Sequence, residues 1–308
     1  VTQLARLAKG QDLAKFYQAN IFQGQGKYEQ AVAAYKEILV KFPQQRQVLQ
    51  NLSVCYEKLN KRSEMLSFLQ NQIKENKGNV AAVLLLSELY VKDKKYTKAT
   101  SLLKKLIKDQ PQIALVQHHL ATVYIAMGKI DKAISVYQDG LKAHPKNIRL
   151  SLALASLYEQ QKNFKLAVGI YEQLIANAPE LDVATNNLAT LLVDHYPTAE
   201  NLKRAQQLTE SFANSEQAYY QDTYAWVLLH NGDIKGSVKI FKQLIIKSPN
   251  TPVFRYHLGV AEYKDGNNST ALVQIDQAIE LAKQGALFPE RKVAEQMKQK
   301  IINTMRGH

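Results

Sequence analysis

Cysteine is almost absent from this chain of 308 residues, because Cys55 is the only one. A single cysteine excludes an internal disulfide and any metal centre built from several cysteine thiolates. Cys55 lies between Val54 and Tyr56 in a helical pattern, where a small buried thiol is the expected state. Such a thiol is compatible with the cytoplasm and with the periplasm, so cysteine usage leaves the compartment open.

Long apolar segments are also missing. No run approaches the ~18 residues that a membrane-spanning helix needs, and the first residues lack the arrangement of a secretory signal. The chain begins at Val1 and not at Met, so we expect a processed product or an excised piece. A targeting signal or an anchor could then have preceded it.

Arginine is scarce in a chain that is otherwise basic. The net charge is +13, and 32 of the 40 basic residues are Lys. Arginine is the side chain best suited to bidentate recognition of phosphates and bases, so this balance disfavours nucleic acid as a partner. The Lys-rich exterior still leaves open a binder of an anionic polymer, such as an acidic polysaccharide.

Signatures of catalysis or of metal binding are not found either. Gly24-Gln25-Gly26-Lys27 has neither the spacing nor the Ser/Thr of a phosphate-binding loop, and no Gly-x-Ser-x-Gly stretch occurs. His118 and His119 are adjacent, and adjacent helical side chains point ~100° apart, so they cannot chelate one ion. We therefore predict a protein that is not an enzyme and needs neither a metal nor a cofactor.

The chain does contain a repeat of 34 residues. A leucine recurs at this interval, a tyrosine follows four residues later, and alanines and prolines keep the same step. A fixed period of this size indicates one supersecondary unit copied along the chain. The recurring positions are Leu52, Leu86, Leu120, Leu154 and Leu188; Tyr56, Tyr90, Tyr124 and Tyr158; Ala99, Ala133 and Ala167; and Pro111, Pro145 and Pro179.

Each period predicts two helices joined by a short turn. In the third copy, Val83, Leu86 and Tyr90 follow the spacing of an amphipathic helix, and a second apolar stripe begins at Ala99. Glycine recurs at the turn, where it tolerates the left-handed conformation that ends a helix. Pro111 ends the second helix because it has no backbone N–H.

The repeated Leu, Ala, Tyr, Ala and Pro positions resemble the tetratricopeptide repeat. The resemblance covers nearly the whole chain and implies an all-α fold, a right-handed superhelical solenoid of about eight helix-turn-helix repeats with a C-terminal capping helix. Residues 1–11 are expected to be the end of a preceding helix or an N-terminal cap, and residues 286–308 the capping helix. The repeats are expected near 12–45, 46–79, 80–113, 114–147, 148–181, 182–217, 218–251 and 252–285.

Several positions depart from the repeat. The sixth unit has four extra residues in its inner turn, with His195, Tyr196 and Pro197 as expected loop residues. In the capping helix, Pro289 is expected in the first turn. Val293, Met297 and Ile301 are expected to face the last repeat.

The resemblance implies that ligands lie along a concave face formed by the first helices of the pairs. We predict that this inner face contacts a protein or peptide partner. Trp226, the only tryptophan, is either an exposed anchor or a packing residue between units seven and eight. Asn51 and Asn187 fall where many family members bond a ligand's main chain. The predicted contacts are Phe16, Asn20, Asn51, Leu84, His118, Ile125, Leu152, Asn186, Asn187, Asp222, Trp226, Tyr256 and Tyr263.

Residues 182–282 also resemble the C-terminal end of bacterial envelope repeat lipoproteins that accompany exosortase and exopolysaccharide systems. Asn186-Asn187-Leu188-Ala189 and Asp222-Thr223-Tyr224-Ala225-Trp226 carry this resemblance. It implies a noncatalytic scaffold, periplasmic or associated with the outer membrane, although a cytoplasmic location stays open. The alternatives are an array that self-associates into a homo-oligomer and a Lys-rich binder of an anionic polymer.

Overall fold

The structure, a computed structural model, describes residues 10–306, and this part of the chain contains seventeen α-helices and no β-strand. The prediction of an all-α fold is confirmed. The helices are α1 (Gln11–Gly24), α2 (Tyr28–Lys41), α3 (Arg46–Lys58), α4 (Arg62–Glu75), α5 (Val80–Lys92), α6 (Tyr96–Asp109), α7 (Ala114–Ala126), α8 (Ile130–Ala143), α9 (Ile148–Gln160), α10 (Phe164–Asn177), α11 (Asp182–His195), α12 (Ala199–Thr209), α13 (Ala218–His230), α14 (Ile234–Lys247), α15 (Pro252–Lys264), α16 (Asn268–Lys283) and α17 (Arg291–Arg306).

The core is built from positions that repeat in every helix pair. One position in the second helix of each pair is buried in all eight pairs, whatever its residue type. Because the same place is filled by Tyr, Leu, Phe, Ile or Thr, the pairs share a packing geometry more than a fixed side chain. These residues are Tyr35, Leu69, Leu103, Tyr137, Tyr171, Thr209, Phe241 and Ile275.

The turns within the pairs show why glycine recurs there. Gly26, Gly128, Gly232 and Gly266 have φ values of 75°, 68°, 92° and 85°. The same register position in three other pairs is held by Asn60, Lys94 and Lys162, with φ values of 56°, 56° and 58°. These residues occupy a left-handed conformation that an L-amino acid adopts at a cost of ~1 kcal/mol. The turn geometry is therefore set by the pair and not by glycine itself.

The chain divides into two compact units, residues 1–157 and residues 158–308. Unit 1 contains α1 to α8 and most of α9, whereas unit 2 contains the end of α9 and α10 to α17. Their charges differ sharply. Unit 1 has 24 basic and 11 acidic residues, which gives the whole net charge of +13, and unit 2 has 16 of each.

The sixth helix pair, in unit 2, is the irregular one. Its first helix, α11, extends to His195, so the expectation that His195 lies in a loop is wrong; the connection consists of residues 196–198. The reason is packing, since the His195 ring stacks on Phe164 with centroids 3.6 Å apart. The second helix, α12, ends in a short 3₁₀ helix, Glu210–Asn214, which buries Phe212.

Two further expectations, for Pro289 and for Val293, are wrong in the last helix, α17. Pro289 lies two residues before α17 and not within its first turn. The face of α17 that packs on the last repeat contains Ala294 and Ile301, both fully buried, and Met297 beside them. Val293 is half exposed, because it lies one residue before Ala294 and therefore about 100° away around the helix.

The expected helix or cap at the start of the chain lies mostly outside the described residues, which begin at Gly10. Among the described helices, none has the length and the apolar character that a bilayer crossing requires.

Candidate binding clefts

The first helices of unit 1 form an open cleft of about 550 Å³ between α1 and α3. Three of the predicted inner-face residues meet there: Phe16 and Asn20 from α1, and Asn51 from α3. Val54, on α3, is 41% exposed and supplies an apolar wall. This cleft therefore combines amide groups with apolar surface, which is the composition of a site for a peptide.

A hydrogen-bond network around Tyr35 fixes the amides of this cleft. The hydroxyl of Tyr35 donates to Asn20 Oδ1 at 2.6 Å or to Gln23 Oε1 at 2.7 Å. Asn51 Nδ2 donates to Asn20 Oδ1 at 3.0 Å and to the Tyr35 hydroxyl at 3.3 Å. Burial raises the pKa of Tyr35, so its hydroxyl keeps its proton. These contacts preorganise the amides, which reduces the entropy that a ligand would lose in ordering them.

The same arrangement recurs in unit 2. Asn187 Nδ2 donates to the hydroxyl of the buried Tyr171 at 3.0 Å, and both pairs are 16 residues apart in the chain. Tyr171 in turn donates to Glu159. Asn51 and Asn187 thus each donate a hydrogen bond to the hydroxyl of a buried tyrosine. The sequence did not indicate this structural role.

In unit 1, Glu88 from α5 and His119 from α7 line a smaller cleft between these two helices. Glu88 Oε1 lies 3.4 Å from Arg46 Nη2 and 3.6 Å from His119 Nδ1. Burial, followed by the charges of Arg46, His118 and Arg149, lowers the pKa of His119 to about 4. His118 Nδ1 lies 3.3 Å from the Tyr137 hydroxyl, and burial and Arg149 lower its pKa. Both rings are therefore neutral at pH 7.

Three of the predicted inner-face residues of unit 2, Asp222, Trp226 and Tyr256, gather around His257. Asp222 is buried, and its two carboxylate oxygens lie 2.9 and 3.0 Å from His257 Nδ1. The His257 ring stacks on Trp226 with centroids 4.1 Å apart, and Trp226 Nε1 donates to Asp194 at 2.8 Å. Burial alone would lower the pKa of His257, but the charge and hydrogen bond of Asp222, with Asp194 and Glu290, raise it.

A second cleft, of about 420 Å³, lies next to this group in unit 2. Asn186 from α11, Asp222 from α13 and Glu290 before α17 contribute acceptor groups to it. Tyr219 and Leu287, which also line it, are 62% and 88% exposed. The described residues of this lining include two carboxylates and no Lys, Arg or His.

Four of the predicted inner-face residues, Phe16, Leu84, Asp222 and Tyr256, are buried. They pack in the interior and have little surface to offer to a partner. Phe16 packs towards Tyr35, and Tyr256 packs towards Phe288, with centroids 6.4 and 5.9 Å apart. Whether a partner contacts any of the thirteen residues stays a prediction.

The remaining predicted residues have more accessible surroundings. Trp226 is half-buried, so it is neither a free anchor nor a fully enclosed packing residue. Ile125 is exposed, Leu152 is half-buried, and the Tyr263 hydroxyl lies 3.1 Å from Thr304 Oγ1 with Lys300 near its ring.

Sequence reasoning missed Tyr35, Asp194, His257 and Glu290. The intervals from Asn20 to Asn51, from Asp194 to Trp226 and from Asp222 to His257 are 31, 32 and 35 residues. These values are close to one repeat, so aligning the repeats and searching for complementary polar residues one unit away would have found these pairs. Among the described residues, no group of His, Cys, Asp and Glu is placed to hold a metal ion.

Comparison with protein families gives two matches, both described as tetratricopeptide repeat. They cover residues 13–44 and 124–192. The first corresponds to α1 and α2, and the second runs from the end of α7 to α11. Comparison with curated proteins gives no significant match.

Solved structures with similar folds have low sequence identity to this chain. The Cut9–Hcn1 hetero-tetramer of the APC/C matches with a TM-score of 0.56 and 13% identity over 96% of this chain and 56% of that chain. Yeast Tom70 matches with a TM-score of 0.51 and 14% identity over 97% and 62%. PilW, a type IV pilus biogenesis factor, matches with 0.51 and 16% over 62% and 87%. At these identities the likeness concerns the fold alone.

Proposed function

We propose that this protein is a noncatalytic interaction scaffold that binds an extended peptide or a partner helix along the first helices of its repeats. Repeat proteins of this kind present long surfaces and seldom enclose a reactive pocket. A peptide laid on such a surface contacts side chains from several consecutive units, each of which adds a small share of the affinity.

The observation that carries this proposal is the preorganised cleft between α1 and α3. Its amides are held by the Tyr35 network, and the exposed Val54 supplies apolar surface next to them. The amides of Asn20, Gln23 and Asn51 can exchange hydrogen bonds with a peptide main chain, which alternates donors and acceptors. Val54 can contact one of its side chains.

A substitution in the cleft tests this proposal. Peptides are first selected from a random display library on the full chain, and their affinities are then measured by fluorescence anisotropy. Val54→Glu places a charge in the apolar wall, and we expect about tenfold weaker binding, because the charge loses water when the peptide covers it. The matched control is Val40→Glu on α2, at a position that is 83% exposed and outside the cleft.

The control is expected to leave the affinity unchanged. Equal losses from both variants, or a library that yields no binder, would reject a peptide site in this cleft.

We further propose that the scaffold acts in the bacterial envelope, in the assembly or export of an exopolysaccharide, at the periplasmic side or the outer membrane. The support is the resemblance of residues 182–282 to envelope repeat lipoproteins. A fusion of the full-length gene product to alkaline phosphatase, which is active only after export, tests the location. An inactive fusion that is nevertheless stable would contradict it.

A second candidate function, binding of an anionic polymer, is supported by the concentration of the entire net charge in unit 1. Heparin is a suitable probe for this function. Counterion release predicts that its affinity falls steeply as salt rises, and crosslinks should form mainly with residues 1–157. A response to salt that is flat, or crosslinks spread evenly over both units, would exclude this candidate.

A further inference from the structure

From the geometry of the second cleft, we infer that unit 2 binds the cationic side chain of a lysine or arginine in the partner's peptide. The inference rests on the proposed peptide-binding function and names the chemistry that one site selects. It depends on three features: buried acceptor atoms that receive no hydrogen bond, a negative electrostatic environment, and an apolar rim.

The first feature is a surplus of hydrogen-bond acceptors. Within the part of the chain that the structure describes, no residue donates a hydrogen bond or an ion pair to the Glu290 carboxylate, and its Oε2 is buried. Asn186 Oδ1 is buried and accepts no hydrogen bond, while its Nδ2 donates to Asn187 Oδ1 at 3.2 Å. Buried acceptors without donors are costly, so a ligand that carries several N–H groups and a charge is favoured here.

The second feature is the electrostatic environment of the cleft. Asp222 lines it with both carboxylate oxygens near one nitrogen, His257 Nδ1, which can supply only one proton. The negative charges of Asp194 and Glu290 also act on Tyr256, whose pKa burial and these charges raise to about 12. A cation entering such a region is attracted more strongly than in water, because the local dielectric constant is lower.

The cations nearest in sequence are already engaged, and Asp222 is itself paired with His257, so Glu290 is the carboxylate of the cleft that is left available. Arg255 donates to the Pro249 carbonyl at 2.9 Å and to Gln274 Oε1 at 3.0 Å. Arg291, which follows Glu290 directly, pairs with Glu295 at 3.0 Å. A cation supplied by a partner therefore does not compete with either arginine for the Glu290 carboxylate.

The third feature is an apolar rim around the acceptors. Tyr219 and Leu287 are largely exposed, and Val253 lines the cleft near them. The methylene groups of lysine and arginine pack on apolar surface while the charged end reaches a polar group. Apolar surface at the rim and acceptors within therefore match a long cationic side chain better than a small inorganic cation.

The test uses the full chain and an array of twelve-residue peptides. Each peptide has a fixed central residue, which is Lys, Arg, acetyl-lysine, norleucine or Glu, and random flanking residues. We expect wild-type protein to prefer Lys and Arg over the neutral analogues of similar length by about tenfold, because a charge-assisted hydrogen bond is lost in those analogues.

Two variants assign the preference to this cleft. Glu290→Gln keeps the size of the side chain and should abolish the preference for Lys. Glu280→Gln, on the exposed face of α16 and paired with Lys283, is the matched control and should retain it. Asn186→Asp adds a carboxylate and should increase the preference severalfold. Thermal melting monitored by circular dichroism verifies that each variant is folded.

The outcomes separate the inference from the proposed function. Peptides that depend on Val54 but bind equally with lysine or norleucine, or equally to wild type and Glu290→Gln, would overturn the cation site and leave the scaffold intact. An array without any binder would overturn both. Preference for Lys that is lost in Glu290→Gln and kept in Glu280→Gln would support the site.

Discussion

Units 1 and 2 are built from the same helix pairs, yet their polar residues differ in kind. Unit 1 has the whole net charge of the chain, while the cleft between α1 and α3 depends on neutral amides around Tyr35. Unit 2 has no net charge, while its cleft contains the carboxylates of Asp222 and Glu290. The net charge of a unit therefore does not predict the charge of its cleft, and units with the same fold can differ in both.

The two units also differ in the environment of a half-buried histidine. For His119 in unit 1, burial first and then the charges of Arg46, His118 and Arg149 lower the pKa to about 4, although Glu88 lies 3.6 Å away. His257 in unit 2 lies beside Asp222, and its pKa is raised. The comparison teaches that repeats with one packing geometry can create opposite electrostatic environments. The following predictions test how far the similarity in packing and the difference in charge extend.

The largest expected effect tests the packing that both units share. Leu103 and Phe241 occupy the same register position, one in each unit, and both are fully buried. Leu103→Ala is expected to lower the free energy of unfolding by about 2–5 kcal/mol, and Phe241→Ala by about 3–5 kcal/mol, because each leaves a cavity. Urea denaturation of the two variants measures these losses.

The matched control for this pair is Ile246→Ala. Ile246 lies on α14, as Phe241 does, but is 79% exposed. A loss of about 0.5 kcal/mol or less is expected for it. If Leu103→Ala lowers the free energy of unfolding no more than this control does, the register position is not a core position in unit 1 as it is in unit 2.

The next effect concerns pH and has opposite signs in the two units. The pKa of His119 is lowered, so its contribution to stability is present above about pH 6.5 and is lost as pH falls towards 4. Over this interval we expect the free energy of unfolding of the wild type to fall by up to about 3 kcal/mol relative to that of His119→Gln. Urea denaturation at a series of pH values measures the difference.

For His257 the pKa is raised, so its contribution is present below about pH 6.5 and is lost as pH rises through the higher folded-state value. Wild type is therefore expected to lose stability relative to His257→Gln on the alkaline side. Curves with the same sign for the two histidines would refute the opposite environments.

A smaller effect distinguishes close packing from open surface within unit 2. A Cβ at Gly259 would lie 2.7 Å from Ile275 Cδ1 and 3.2 Å from the Ala271 carbonyl oxygen, whereas a Cβ at Gly169 meets no atom within 4 Å. We expect Gly259→Ala to destabilise by about 1–2 kcal/mol. Gly169→Ala should stabilise by about 0.5–1 kcal/mol through helix propensity. Thermal melting of both variants provides the measurement, and a gain in both would show that α15 can move away from α16.

The smallest effect concerns the turns of unit 1. Lys94→Gly is expected to stabilise the protein, because glycine adopts the left-handed conformation at φ 56° without strain. Glycine also adds conformational freedom to the unfolded chain, so the net gain should be somewhat under about 1 kcal/mol. Gly128→Ala, at φ 68°, should destabilise by about 1 kcal/mol. Chemical denaturation that ranks the two variants in the reverse order would contradict a turn geometry imposed by the helix pair.

Much of the fold could be predicted from single positions. The 34-residue step located Leu52, Ala99 and Gly26 in their helices and turns, because these roles are set by local backbone geometry and by contact with the partner helix. The candidate clefts were less predictable. Helical register placed Phe16 and Tyr256 on the inner face, but the rings turn into the neighbouring packing and are buried.

The sequence by itself determined the helix pairs and their approximate number, since periodicity reports what every copy has in common. Only the tertiary structure decided that Trp226 bonds to Asp194, that Asp222 meets His257, and that Glu290 lacks a donor. The physical reason is that these contacts join single side chains about one repeat or more apart. Their rotamers depend on the particular neighbours present, which a repeating pattern does not specify.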